Sequence, residues 1–161
     1  MIPFVEAHKF VNVGNSSFIA ANEDIFNGSP DTDIVNMKYW RDCIFTIQKG
    51  AGSAGTATVT VGSCDTAVPG TATAVAFKYR AMTLATDTWS AWTDATSAGF
   101  TTTAGADDMY EIWVRSDGLY STDHYVRLSL AEVDSTACDG GIQAVLFNPR
   151  YAEDVNPTVL T

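Results

Sequence analysis

Strict alternation of polar and apolar residues at two places constrains the fold of this chain more than any other feature. Residues 56–61 alternate threonine with alanine or valine, and residues 75–80 place valine, phenylalanine and tyrosine opposite alanine, lysine and arginine. A period of two, with β-branched and aromatic residues, indicates strands that are buried on one face only. Such strands need a second sheet to cover the apolar face, so we expect an all-β, antiparallel β-sandwich in which these segments pair through a turn at residues 68–70. The predicted inward residues are Ala57, Val59, Val61, Val75, Phe77 and Tyr79.

The rest of the chain shows further strand-like segments and no helix longer than one turn. Strands are predicted at residues 9–13, 43–49, 86–93, 109–115, 124–133 and 142–147, with shorter candidates at 18–20, 34–37 and 100–103 and a helical turn at 38–41. In two of these strands the predicted inward residues are Tyr110, Ile112, Val114, Val126, Leu128 and Leu130. About seven to nine strands fit either a jelly roll or an immunoglobulin-like sandwich. The long polar loop at residues 14–33 favours the jelly roll.

The length of 161 residues predicts one domain with two extended ends. We expect an N-terminal arm at residues 1–7, a sandwich at 8–148 and an extended tail at 149–161. The arm contains Pro3 and shows no periodicity, and Pro149 and Pro157 keep the tail from extending the sheet as a central strand.

The charge balance excludes some classes of partner. The formal net charge is −10, and the nine lysines and arginines are scattered singly. Nucleic acids and anionic membranes are bound by clusters of basic residues, so neither is an expected partner. The first residues lack the basic and apolar regions of a signal peptide, and no apolar run is long enough to span a membrane, so we expect assembly in the cytoplasm.

The sequence contains no recognisable catalytic or metal-binding motif. His8 and His124 are far apart in the sequence. Asp123 lies beside His124, but the sequence has no GxSxG motif that would supply a nucleophile for a catalytic triad. The aspartates at 31–33, 107–108 and 134–139 lie in predicted loops and do not follow a calcium-binding pattern. Cys43 is in phase with an apolar strand and is interpreted as buried, although one disulfide among Cys43, Cys64 and Cys138 stays open. We therefore expect no enzyme, no cofactor and no metal.

The tryptophans are the main candidates for contacts. Trp89 and Trp92 are out of phase and should point to opposite faces of a regular strand. Trp113 shares a face with Glu111 and Arg115, so it is expected outside the core. An exposed tryptophan on a polar sheet face can contact a sugar ring, a protein neighbour or a loop of its own chain.

Three stretches of the chain resemble one known class of protein. These are IPFVEAHK at residues 2–9, AVAFKY at 74–79 and NPRYAEDVNPT at 148–158. They resemble the decoration, or cement, proteins that tailed bacteriophages encode in their head-gene regions and that coat the outside of the capsid. The resemblance implies a non-enzymatic, jelly-roll-like sandwich that assembles as a trimer, or as a dimer, and clamps adjacent major capsid subunits on the virion surface. The residues expected to contact partners are Ile2, Pro3, Phe4, Val5, Trp113, Pro149, Arg150, Tyr151, Val155, Val159 and Leu160.

Two alternatives remain open from the sequence. In a carbohydrate-binding sandwich, Trp89, Trp92 or Trp113 would stack on sugar rings and a loop carboxylate would hold Ca²⁺. In another virion part, such as a head–tail connector or a tail-tube subunit, the chain would form rings or stacked tubes.

Overall fold

The structure is a computed structural model that describes residues 7–14, 24–50, 54–68, 70–83, 86, 88–105 and 108–150. Within these residues the regular structure is almost entirely strand, and no helix is long and apolar enough to cross a membrane. The strands are β1 (His8–Asn12), β2 (Val35–Asn36), β3 (Trp40–Lys49), β4 (Ala57–Cys64), β5 (Thr73–Val75), β6 (Phe77–Thr83), β7 (Thr88–Trp89), β8 (Thr93–Ala95), β9 (Phe100–Thr101), β10 (Asp108–Arg115), β11 (Tyr125–Glu132) and β12 (Gly140–Pro149). A 3-10 turn, Ser116–Gly118, follows β10.

The described strands form two antiparallel sheets. The large sheet has the order β1-β12-β3-β10-β6, and the far edge of β6 pairs with both β7 and β8. The small sheet has the order β2-β11-β4, and the far edge of β4 pairs with both β5 and β9. Every pair of strands in both sheets is antiparallel.

The order of the strands is that of a jelly roll with one insertion. When β6 to β9 are set aside, the remaining eight strands form two four-stranded sheets, β1-β12-β3-β10 and β2-β11-β4-β5. The chain passes from one sheet to the other at most connections, which interleaves its first and last strands in the manner of a jelly roll. The predicted jelly-roll-like β-sandwich is confirmed.

The hydrophobic core lies between the two sheets and follows the predicted alternation. Within it lie the central strands' inward residues, Cys43, Phe45, Ile47, Ala57, Val59, Val61, Tyr110, Ile112, Val114, Val126, Leu128, Leu130, Ile142, Ala144 and Leu146. All three cysteines are free and buried, which confirms the prediction for Cys43 and leaves no disulfide among them.

The chain crosses between the sheets at Ala76, where the sequence predicts an uninterrupted strand. Val75 pairs with Val61 in the small sheet, whereas Phe77 pairs with Ala95 in the large sheet. Both Val75 and Phe77 point into the core and are only 6% exposed. The prediction of one uninterrupted strand was wrong because the alternation continues through the crossing. Val75 and Phe77 both point inward, although they belong to different sheets.

The expected helical turn at residues 38–41 is only partly present. The amide of Trp40 donates a hydrogen bond to the carbonyl of Met37 at 3.0 Å, which closes a tight turn over Lys38 and Tyr39. Trp40 then already belongs to β3, because its strand position is fixed by pairing with Pro149 of β12.

The described part of the long early loop packs against the sandwich. Ile25 and Phe26 are fully buried, and the amide of Ile25 donates to the carbonyl of Cys138 at 2.8 Å. Thr32 is buried too and exchanges two hydrogen bonds with the backbone of Leu128. The short strand predicted at residues 18–20 lies outside the described residues.

Candidate functional site

An apolar row crosses the outer face of the large sheet. The register pairs Phe10 of β1 with Val145 of β12, Val145 with Ile44 of β3, and Ile44 with Trp113 of β10. Residues that pair directly across antiparallel strands lie on the same face, so these four side chains form one line over four strands, here called the apolar row. Phe10 is 64% exposed, and the other three are partly exposed.

The surroundings of the apolar row are polar except at Phe147. On one side the same register aligns His8, Phe147, Asp42 and Arg115, and on the other it aligns Asn12, Gln143, Thr46, Glu111 and Arg80. The solvent-facing side of an antiparallel sheet is usually polar throughout. A contiguous apolar line inside a mostly polar frame is the pattern of an interaction surface, whereas single exposed apolar residues need no explanation.

Trp113 is held in place by a buried carboxylate. Its indole nitrogen donates a hydrogen bond to Asp42 at 2.9 Å, and the side-chain amide of Asn148 donates to the other carboxylate oxygen at 2.7 Å. Asp42 is only 2% exposed, and the guanidinium of Arg115 approaches it to 4.0 Å. The ring of Trp113 is therefore fixed before any partner arrives.

A second aromatic cluster continues from Trp113 towards the β7 edge. The guanidinium of Arg80 lies 4.5 Å from the ring centre of Trp89 and 4.6 Å from that of Trp92, and it forms an ion pair with Glu111 at 2.5 Å. The rings of Trp92 and Trp113 are 5.6 Å apart. These cation–π contacts occupy ring faces that a sugar would need, which weakens the expectation that Trp89 and Trp92 bind carbohydrate.

The expected opposite orientation of Trp89 and Trp92 is wrong, since both rings lie against the same guanidinium. The two residues do not share a regular strand. The backbone amide of Ser90 donates to the carbonyl of Ala81, and the hydroxyl of Ser90 accepts from the amide of Ala81 at 3.0 Å. These two hydrogen bonds lie between β7 and β8. The alternation of side-chain direction in β7 therefore does not continue into β8.

A cleft of about 890 Å³ opens beside Trp113. It lies between the start of β6, the β8 strand and the 3-10 turn, and Leu119 and Tyr120 line its far side. Tyr120 is 54% exposed.

The two histidines and Asp123 contact different parts of the described structure. His8 stacks on Phe147 at the β1 edge, whereas the backbone amide of His124 bonds to Cys64 in the small sheet. Asp123 accepts a hydrogen bond from the buried Ser63 at 2.5 Å. Among residues 7–14, 24–50, 54–68, 70–83, 86, 88–105 and 108–150, no three His, Cys, Asp or Glu side chains are grouped to hold a metal ion.

Three of the expected partner-binding residues are described, and they fall at two places. Trp113 ends the apolar row, whereas Pro149 lies four residues beyond Val145 on β12 and pairs with Trp40. The amide of Arg150 donates to the carbonyl of Tyr39 at 2.9 Å. The remaining expected residues, Ile2, Pro3, Phe4, Val5, Tyr151, Val155, Val159 and Leu160, lie outside the described residues.

Sequence reasoning missed Phe10, Ile44 and Val145. For Ile44 and Val145 the sequence did contain a signal. Residues 43–45 and 144–147 are continuous apolar runs, which indicate strands that are apolar on both faces. Alternation was used to find the inward residues, and the apolar residues between them were not interpreted.

Comparisons with known proteins give one distant likeness. No family model matches the chain, and no curated protein does. The chain is similar to the solved structure described as SPBc2 prophage-derived protein YomS, with 9% identity, a TM-score of 0.48, and 88% of this chain and 93% of that one covered. A likeness at this distance carries no functional argument.

Proposed function

We propose that this chain is a structural protein of a tailed-bacteriophage virion, which binds the outer surface of the capsid and cements neighbouring major capsid subunits. The observation that carries this proposal is the apolar row on the outer face of the large sheet. The resemblance of residues 2–9, 74–79 and 148–158 to decoration proteins points in the same direction.

The apolar row suits a broad protein partner. Its two ends are aromatic, Phe10 and Trp113, and large aromatic residues on a rigid support carry much of the binding energy of protein interfaces. The pairing of β1, β12, β3 and β10 fixes the backbone positions of these residues, so little backbone ordering opposes binding. A row that crosses four strands matches the broad surface of a protein shell better than it matches a small molecule.

Repetition on a lattice would strengthen a modest single contact. Many copies on a symmetric shell gain avidity without any new contact in each copy. In the proposal the chain also contacts itself, as a trimer or alternatively a dimer, and the expected arm and tail, residues 1–7 and 149–161, contact neighbouring subunits. The protein then has no enzymatic role and occupies the outer capsid surface after assembly in the host cytoplasm.

The first test is the copy number of this chain in purified virions of the phage that encodes it. Quantitative mass spectrometry against the major capsid protein should give a ratio near one, or a simple fraction set by the capsid symmetry axes. A few copies per particle would identify a connector or another low-copy part instead. Absence from the particle would overturn the proposal altogether.

The second test places an acidic residue in the apolar row. Purified Phe10→Asp protein should bind capsids assembled without this chain at least about tenfold more weakly than the original protein, because a carboxylate would be desolvated in the contact. Val68→Asp is the matched control. Val68 is 90% exposed and lies in the loop that follows β4, which is a strand of the small sheet. Co-sedimentation measures both, and equal binding by the two variants would contradict a role for the apolar row.

A further inference from the structure

We infer that the cleft beside Trp113 is a binding site for a short, neutral saccharide. The inference goes beyond the proposed capsid role and does not depend on it. The cleft is bounded by β6, β8 and the segment after β10, and its charged lining residues are two cations and two carboxylates, Lys78, Asp94, Arg115 and Asp117.

The size of the cleft fits a small ligand. Its volume of about 890 Å³ falls within the range of roughly 300–1,000 Å³ that small-molecule sites occupy. The cleft lies where the chain crosses between the sheets at Ala76, and the rigid strands β6 and β10 form its base. A ligand would therefore meet a largely preformed site.

The charges of the cleft favour a neutral ligand. Lys78 pairs with Asp94 at 2.5 Å, and Arg115 pairs with Asp117 at 2.6 Å, so the four groups sum to zero in a chain whose net charge is −10. An anionic ligand would have to compete with Asp94 or Asp117 for its cation, and a cationic ligand would have to compete with Lys78 or Arg115 for its carboxylate. Hydroxyl groups face no such competition, because they can donate to a carboxylate and accept from an ammonium or guanidinium group at the same time.

The aromatic lining supplies the remaining part of saccharide chemistry. Trp113 and the exposed Tyr120 present apolar surface beside the ion pairs. A pyranose ring has apolar C–H faces and a polar rim of hydroxyl groups, so it can contact rings and ion pairs together. Because Asp42 already fixes the indole of Trp113, binding costs little further ordering of that ring.

Ligand-detected NMR with a panel of neutral disaccharides tests this site directly. Cellobiose, maltose, lactose and N,N′-diacetylchitobiose are each added at up to about 10 mM, which detects even weak binding. At least one should show saturation transfer from the protein, and sialyllactose, which carries a negative charge, should bind at least about tenfold more weakly than the best neutral sugar. Absence of binding by the whole panel, or equal binding of the anionic sugar, would overturn the inference.

Two tyrosine variants locate the binding. Tyr120→Ala should weaken binding of the best disaccharide at least about tenfold. Tyr39→Ala is the matched control, because Tyr39 is 47% exposed at the turn before β3 and lies outside the cleft. Asp94→Leu, which removes an exposed acceptor without touching the core, should also weaken it. Binding that survives both Tyr120→Ala and Asp94→Leu would place the sugar elsewhere and overturn the assignment.

The same variants separate this inference from the proposed function. Phe10→Asp should leave disaccharide binding unchanged, and Tyr120→Ala should leave capsid binding unchanged.

A free disaccharide and a cell-surface polysaccharide share this chemistry. Co-sedimentation with host cells, before and after periodate oxidation of their surface sugars, distinguishes the two: loss of binding after oxidation assigns the polymer, and binding of the disaccharide alone assigns the free sugar.

Discussion

At the scale of single residues, Asp42 stabilises the fold and positions Trp113. Replacing it with alanine removes a carboxylate that is only 2% exposed and that accepts hydrogen bonds from the indole N–H of Trp113 and the side-chain amide of Asn148. Hydrogen bonds to a charged group contribute more than neutral ones, so Asp42→Ala should lower the free energy of unfolding by about 1.5–3 kcal/mol. Urea unfolding measures this change. Asp94→Ala, which removes an exposed ion pair, should change stability by no more than about 0.5 kcal/mol, and similar losses in both variants would contradict the role of Asp42.

A second prediction at this scale concerns Asp134. The hydroxyl of Thr56 and the amide of Thr136 donate hydrogen bonds to its carboxylate and lower its pKa below the usual range. Because the folded state favours the ionised form, this contribution to stability is present above the unfolded pKa, about 3.9, and is lost as the pH falls through the lower folded pKa. The stability difference between the original protein and Thr56→Val should therefore shrink on acidification.

Urea midpoints between neutral pH and about pH 2 measure that difference. Thr58→Val is the control, because the hydroxyl of Thr58 contacts Thr101 and no carboxylate. Its effect should not vary with pH. A Thr56→Val effect that is equally constant would show that the hydrogen bond to Asp134 does not set the acid sensitivity.

At the scale of elements, the turn between β8 and β9 depends on a glycine. Gly99 has a φ of +77° and packs against the backbone of β4, where a Cβ atom would overlap the carbonyl oxygen of Val59. Gly99→Ala should destabilise the protein by about 3 kcal/mol or more, since neither backbone can yield cheaply. Gly28 has a similar φ of +73° but nothing near its missing Cβ, so Gly28→Ala should cost only about 1 kcal/mol. Thermal unfolding of the two variants separates steric overlap from backbone strain alone.

The strands also show which features of the fold could be predicted from the sequence. Alternation identified the inward faces of β4, β10 and β11 because each of these strands stays in one sheet. It could not reveal the crossing at Ala76, where the pattern continues across two sheets. The apolar row was harder still, because it combines residues 10, 44, 113 and 145 through pairing that no local pattern encodes. The position of Trp113 outside the core was predictable, whereas its neighbours in the row were not.

At the scale of the whole molecule, the three cysteines test cooperativity. Cys43 lies in the large sheet, Cys64 in the small sheet and Cys138 in the loop before β12, and all are buried. Burial also raises the pKa of the Cys43 and Cys64 thiols, which keeps them protonated. If interleaved strands unfold together, a thiol reagent should convert unlabelled protein to triply labelled protein without intermediates. Mass spectrometry during slow labelling checks this, and accumulation of a singly labelled species would show that one part opens alone.

The interleaving of strands has a consequence for synthesis on the ribosome. Among the first three strands, β1 pairs with β12, β2 pairs with β11, and β3 pairs with both β10 and β12, and all of these partners are translated more than 50 residues later. None of the first three can complete its sheet while the second half of the chain is still inside the ribosome. Folding therefore waits for β12 to leave the exit tunnel, and the nascent chain presents unpaired strand edges until that moment. The rate at which the last strands are translated, rather than the local propensity of the first ones, sets how long each new molecule is exposed to aggregation.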